Sequence, residues 1–382
     1  MIRLTRITLR EIRLPLVTPF RSAGGEVAER RVLLLAMEDA AGITAWSECV
    51  AEARPSYSPD TVDTCWLAIE QWLAPRLLGR SFATPAEVDA TLRRGIRGHR
   101  MARAALEMGA WAVAAEQAGV PLAALLARSC AVPAASRQFV ETGVALGMQG
   151  STDALVARAR EAIAEGYRRV KIKIEPGQDV APVRALREAL GPAAVLTVDA
   201  NCSYSLDDPA HLAALEALDA FDLSMIEQPL GDEDVVRHAL LQRRLRTPIC
   251  LDESITGVAR VDDMLSSGSG RVVNLKPGRV GGLAESVAIH DLCAARGARL
   301  WCGGMLETGI GRAYNVALAS LPGFTDAGDL SPSARYWARD VVRPEWTMDA
   351  TGRVRVPLDR AGLGVAVDVD LIDGLTVRMA SL

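Results

Sequence analysis

Two lysines and three carboxylates occupy comparable places in this chain, each closing a short apolar run. Val170-Lys171-Ile172-Lys173 ends in Lys173, Val198-Asp199 in Asp199, Ile226-Glu227 in Glu227, Leu251-Asp252 in Asp252 and Leu275-Lys276 in Lys276. Successive members lie about 25 residues apart, the length of one strand, one helix and their loops. A single Asp or Glu after a strand ordinarily caps a helix or sits in solvent. Three in succession repel one another, and coexist only with protons or a cation between them. No His or Cys stands at an equivalent position, so the donors are all oxygen. That selects Mg²⁺ (or Mn²⁺) over Zn²⁺.

A lone lysine at a strand end is ordinarily just exposed. Here the placement says more. In an eight-stranded barrel the second and sixth strands lie half a turn apart, so Lys173 and Lys276 face each other with the carboxylates to one side. A substrate carboxylate held there has one amine on each face. Lys171 shares strand parity with Lys173 and points inward. Its like charge is expected to lower the pKa of Lys173, and Arg279 to do the same for Lys276. A lowered pKa suits a general base. The reaction that uses such a set is removal of a proton α to a carboxylate, giving an enediolate. A unit charge developing ~4 Å from a dication gains roughly 8 kcal/mol at an effective dielectric of ~20, on the order of 10⁶ in rate. In the Gly-rich loop Gly303–Gly309, Glu307 is a candidate to orient a ligand or a lysine. Cys250 and Cys302 read as buried thiols. His99, His211, His238 and His290 fall in or beside helices and read as structural or solvated.

These groups need a rigid frame. From Gln138 onward, apolar runs alternate with amphipathic helices. The runs are Phe139–Leu146, Arg169–Ile174, Val195–Val198, Leu223–Ile226, Pro248–Leu251, Val272–Leu275 and Arg299–Cys302, with Phe324–Gly328 as an eighth. Helices are expected over Asp153–Glu165, Ala181–Leu190, Pro209–Leu218, Glu233–Leu245 and Leu283–Arg296. Such β-then-α units predict a parallel sheet, and seven or eight of them a closed barrel of the α/β class. No GxGxxG follows the first run, which weighs against a nucleotide-binding fold.

The first ~130 residues read as a separate α+β region. Arg31–Met37 and Ile43–Cys49 read as strands about a Glu38–Gly42 turn, Thr84-Pro85-Ala86-Glu87 as a helix start, and His99–Gly119 as a long Ala-rich helix. After Asp340 the repeat lapses, and Arg353–Val356 and Leu375–Met379 read as strands. The expected division is a capping domain over 1–130, a barrel over 131–340 and a tail, 341–382, that returns to the cap.

Bulk properties fit a soluble enzyme. The 382 residues are 49% hydrophobic and 24% charged, with net charge −4, which supports a large core and argues against disorder. There is no basic stripe to suit nucleic acid. No segment approaches the ~20 apolar residues of a membrane span, and Met1 leads into no signal-like stretch. The seven cysteines are scattered, without a CxxC pair. Reduced thiols and a cytoplasmic setting are therefore expected.

The strand-end motifs, with Lys276-Pro277-Gly278-Arg279-Val280-Gly281-Gly282, resemble the enolase superfamily, muconate-lactonising-enzyme subgroup. Trp301-Cys302-Gly303-Gly304-Met305, Leu251–Ser254 and Lys171–Gly177 resemble, more narrowly, the o-succinylbenzoate synthase / N-succinylamino acid racemase family. The resemblance spans Pro19-Phe20 to Gly362-Leu363-Gly364. It implies a modified TIM barrel, (β/α)₇β, beneath an α+β cap. Asp199, Glu227 and Asp252 would bind Mg²⁺, and Lys173 and Lys276 would form the acid/base pair acting on a small-molecule carboxylate. It also implies cap loops at Phe20–Gly25 and Val50–Ser58 that close over the ligand and bring Phe20 and Tyr57 to it. Glu52 and Arg54 add charge to the second loop. Met305 would line the site, with Lys171, Asn201, Glu253 and Arg279 in support. Homo-oligomerisation is expected on the same ground. A His-Asp dyad enzyme is disfavoured, because Trp301-Cys302 ends the seventh strand. Dipeptide epimerisation and muconate cycloisomerisation share the two-lysine chemistry. A Schiff-base aldolase would leave the carboxylates without a purpose, and a non-catalytic barrel would leave the whole charged set without one.

Overall fold

The computed structural model describes residues 1–22 and 25–382. Its longest strand is one the sequence pattern did not flag, β1 (Ile2–Ser22). The buried apolar positions are Ile2 and Leu4, then Ile7 and Leu9, then Ile12, Leu14 and Leu16. Each group alternates, but the phase slips between groups, and the pairing register shifts between Leu4 and Arg6. A bulge of this kind hides a strand from a period-two search. β1 runs antiparallel to β2 (Gly25–Asp39), which pairs with β3 (Thr44–Cys49) about the expected turn.

Helix α1 (Arg100–Ala118) packs on this sheet and stops at Gly119, whose φ of 63° is left-handed. Its buried face is largely alanine, which lets the helix sit close. A Cβ on Gly109 would strike the Met37 sulfur. The helix start at Thr84 is found, with Thr84 accepting from the Glu87 N–H and Pro85 at the first helical position.

Seven short parallel strands form the second sheet, in chain order: β4 (Val144–Leu146), β5 (Val170–Lys173), β6 (Leu196–Asp199), β7 (Met225–Glu227), β8 (Ile249–Leu251), β9 (Val272–Leu275) and β10 (Arg299–Cys302). Met225, Cys250, Val272 and Trp301 form a small buried cluster of their own, while Ile226, Leu251, Val273 and Leu300 join the main core. Strand parity therefore divides barrel interior from helix-facing surface.

Two expectations need correction. The Phe139–Leu146 run is not one strand. Phe139–Glu141 pairs antiparallel with Arg353–Arg355, and only β4 joins the barrel. Gly143 marks the break, since a Cβ there would meet Arg169. The Phe324–Gly328 run is no regular strand either. Thr325 N–H donates to Leu300 O and Asp329 N–H to Cys302 O, while Gly143 N–H donates to Gly328 O and Gly328 N–H to Glu141 O. The segment thus closes the barrel between β10 and β4 by an isolated bridge to Thr142.

The last strand, β11 (Thr376–Ser381), pairs antiparallel with β1, Thr8 opposite Ser381. Among the described residues no helix is long and apolar enough to cross a membrane.

Candidate functional site

Strand register sets the charged rim. Lys173 lies opposite Asp199, Asp199 opposite Glu227, and Glu227 opposite Cys250, two residues before Asp252. Each lies two residues beyond an interior position, so the side chains turn inward by parity alone. The same parity brings in Asn274, two residues before Lys276. Its amide donates to Glu227 Oε1 at 2.7 Å. Asp329, just past the closing segment, accepts from Lys171 at 2.9 Å and pairs with Arg169. Both were missed in the sequence, although the strand-end and alternation rules that found the others would have found them.

The two lysines flank the carboxylates. Lys173 Nζ donates to Asp199 Oδ2 at 2.7 Å and to Asn201 Oδ1 at 2.8 Å. Lys276 Nζ donates to Asp252 Oδ2 at 2.8 Å and to the Tyr57 hydroxyl at 3.0 Å. Arg279 pairs with Asp252 and donates to Tyr57 at 2.7 Å. Lys171 lies 3.1 Å from Glu227 Oε2 and 3.4 Å from Asp199 Oδ2, with its ammonium 4.8 Å from the Trp301 ring. Asn201 also donates to Glu253 Oε1 at 3.0 Å, whose Oε2 is buried without a partner. Asn201, Cys202 and Gln228 all hold left-handed backbone, conformations that cluster where a site dictates geometry. Gln228 accepts from the Asp252 and Ser254 N–H groups, fixing the turn that carries Asp252.

The titration pattern follows from this pairing. Burial resists ionisation of Asp252, but Lys276 and Arg279 outweigh it and hold the carboxyl well below the usual range. Glu227 has weaker compensation: burial and the Asp199 charge push it up to about 7. Burial and Asp252 push Glu253 up to about 8. The expected lowering of the Lys276 pKa by Arg279 does not win. Burial and Arg279 do act that way, but Asp252 and Tyr57 outweigh them and the pKa rises. Lys171 is likewise raised well above its ordinary value: burial lowers it, and Asp329, Glu227 and Asp199 overcome that.

A cavity of about 830 Å³ opens above the rim, between cap and barrel. Phe20, Tyr57, Lys171, Lys173, Asp199, Asn201, Asp252, Glu253, Lys276 and Met305 line it, as do Glu52 and Arg54 of the second cap loop. Of the first cap loop, Ala23 and Gly24 lie outside the described residues. Glu307 does not line the cavity. Its Oε1 accepts from Met305 N–H at 2.7 Å and Asn315 Nδ2 at 2.8 Å, bracing the Gly-rich loop, while its Oε2 is buried without a partner.

The donor set suits a hard dication: Asp199, Glu227 and Asp252 are neighbouring oxygen donors, with an unpartnered Glu253 oxygen beside them. Their ligand atoms do not fall within 4.8 Å of one another as a group; Lys171 sits between Asp199 and Glu227. The grouping that does, among the described residues, is Cys130, His290 and Asp291. There both ring nitrogens are engaged, Nδ1 with Asp291 and Nε2 with the Gly323 N–H, so it is a structural clasp.

Comparison with known proteins agrees with this geometry. Residues 5–127 match the mandelate racemase / muconate lactonizing enzyme N-terminal domain, and residues 154–371 the enolase C-terminal domain-like family. The chain is 42% identical to an o-succinylbenzoate synthase of Bacillus subtilis, covering 99% of this chain and 98% of that one. It is 45% identical to an N-succinylamino acid racemase of Amycolatopsis, covering 98% of each. A crystal structure of an enolase-superfamily member from Listeria innocua superposes with a TM-score of 0.93 at 35% identity, covering 100% of this chain and 99% of that one. Charged strand ends, barrel and cap together place this chain in the mandelate racemase / muconate lactonizing enzyme family of the enolase superfamily.

Proposed function

We propose that this protein removes the proton α to a carboxylate, through an enediolate, as an o-succinylbenzoate synthase, an N-succinylamino acid racemase or both. The observation that supports this reading is that Lys173 and Lys276 line one cavity together with Asp199 and Asp252, each amine bonded to one of these carboxylates, with Glu227 buried next to Asp199 on the neighbouring strand. Two high-coverage relatives bearing these two names support it.

Asp199, Glu227 and Asp252 would hold Mg²⁺, which would supply Lewis-acid stabilisation of the enediolate oxygens. The rest falls to the chain itself. In racemisation one lysine takes the proton and the other returns one to the opposite face. In the synthase reaction Lys173 takes the α-proton and then gives it to the departing hydroxide, so that water leaves, while Lys276 remains a cation facing the anion. Lys171 stays charged among Asp329, Glu227 and Asp199, and so contributes field and no proton transfer. Phe20, Tyr57 and Met305 would enclose the substrate, with Glu52 and Arg54 at the opening.

The test is ¹H NMR of α-proton exchange in D₂O, with Mg²⁺ and N-succinyl L- and D-amino acids, beside a dehydration assay on the cyclohexadiene precursor of o-succinylbenzoate. Activity in either assay is the expected result. Inactivity in both, with folded protein, would sink this substrate assignment and move the search to dipeptides and muconate.

A further inference from the structure

Lys276 belongs to a compact turn that the cap grips from behind. Val280 N–H donates to Lys276 O, and Gly281 and Gly282 N–H both donate to Pro277 O. The chain then enters helix α2 (Leu283–Arg296), whose first N–H groups have no partner within the helix. Glu107, from the middle of α1 in the cap, supplies it. Its carboxylate accepts from Leu283 N–H at 2.7 Å and Ala284 N–H at 2.8 Å, while Trp111 Nε1 donates to it at 2.6 Å. Glu107 is fully buried. A Cβ on Gly282 would strike its Oε2, one on Gly278 would strike Val50 and one on Gly281 would come within 3.2 Å of the Arg103 guanidinium, so all three glycines of this turn admit the cap at close range. Lys173, at the other end of the rim, has its hydrogen-bond partners, Asp199 and Asn201, within the barrel.

We propose that Glu107 is a positioning residue for Lys276 alone: through the α2 N-terminus it sets where that amine stands, and it leaves Lys173 untouched. The proposal rests on the two-lysine reading above. It assigns the body of the cap a part in the chemistry, as one wall of the mould that shapes the second base.

The experiment compares α-proton exchange from N-succinyl L- and D-amino acids in wild type, Glu107→Ala and Glu107→Gln, well below each variant's Tm. Lys173→Ala and Lys276→Ala serve as references that assign each enantiomer to its lysine. Displacing an amine by a fraction of an ångström to one ångström costs roughly 10- to 100-fold. Glu107→Ala is expected to lose that much for the Lys276 enantiomer and less than about threefold for the other. Glu107→Gln, which keeps one carbonyl acceptor, should lie between. Equal loss for both enantiomers, or no loss, overturns the positioning role. Wild-type protein that exchanges neither enantiomer overturns the racemase assignment within the two-lysine reading instead.

Discussion

The two ends of the charged rim are built differently. The Lys173 end is finished within the barrel: its hydrogen bonds go to Asp199 and Asn201, and the cap offers the ring of Phe20, whose centroid lies 5.8 Å from the ammonium. The Lys276 end is shared. Asp252 and Arg279 come from the barrel, but Tyr57 comes from a cap loop and packs its ring 4.4 Å from the amine. One amine thus finds its hydrogen-bond partners in the barrel alone, and the other finds one in the cap. For a reaction with one base and one fixed cation, that division is economical. Tyr57 and Asp252 hold Lys276 protonated, the state needed to face an anion. Racemisation asks more, because Lys276 must also give up its proton.

The largest effect that probes this asymmetry is loss of either amine. Lys173→Ala and Lys276→Ala should each abolish exchange of one enantiomer, by about 10²- to 10⁴-fold. Dehydration should fall more with Lys173→Ala than with Lys276→Ala. The reverse order would invert the assignment of roles.

Metal removal should act on both ends at once. Chelation is expected to eliminate both activities, and Mg²⁺ at a hundredfold excess over its Kd should stabilise the fold by about 2.7 kcal/mol, read as a rise in Tm. A Tm indifferent to Mg²⁺ would count against Asp199, Glu227 and Asp252 as its ligands.

Tyr57→Phe should separate the ends more finely. Losing one hydroxyl bonded to Lys276, Arg279 and Asp252 is expected to slow the Lys276 enantiomer roughly tenfold and leave the Lys173 enantiomer near wild type. Equal slowing would make Tyr57 a general closure element.

A pH effect tests the cap's other grip on the barrel. Glu48 of β3 accepts from Thr308 N–H and Oγ1 and from Gly311 N–H, at the start of helix α3 (Gly309–Ala319). Burial pushes its carboxyl up to about 7 from an ordinary 4.5. The folded protein therefore holds this proton more tightly than the unfolded chain. Its contribution to stability is full below pH ~4.5 and is lost as pH rises through ~7. Denaturation across that window should show a decline that Glu48→Gln makes smaller by on the order of 1 kcal/mol or more, the remainder belonging to other carboxyls raised in the same way, Glu227 and Glu253 among them. The smallest effect should come from Phe20→Ala. A cation–π contact of this length is worth about 0.5–1 kcal/mol, and only the Lys173 enantiomer should feel it.

Much of this was legible in the sequence. The parallel units from β5 to β9 announce themselves because each strand is a buried run that ends in or is followed by charge, a local pattern repeated at fixed period. β1 escaped because its alternation slips phase, and the Phe139–Leu146 run misled because both its halves are apolar, although they pair with different partners. The contacts of Glu307 were not legible: its loop borders the cavity, and its Oε1 accepts from the Met305 amide and Asn315.

Period and parity are properties of a chain segment, so the sequence by itself determined the barrel, the inward set and the order of charges round the rim. Partnership is a property of distance. Arg279 beside Asp252 and Tyr57, Lys171 wedged between Glu227 and Asp329, and Glu107 on the α2 N-terminus join residues far apart in the chain. Only the tertiary structure decided them, and with them the sign of the Lys276 shift, because Coulomb energy depends on separations that no local pattern encodes.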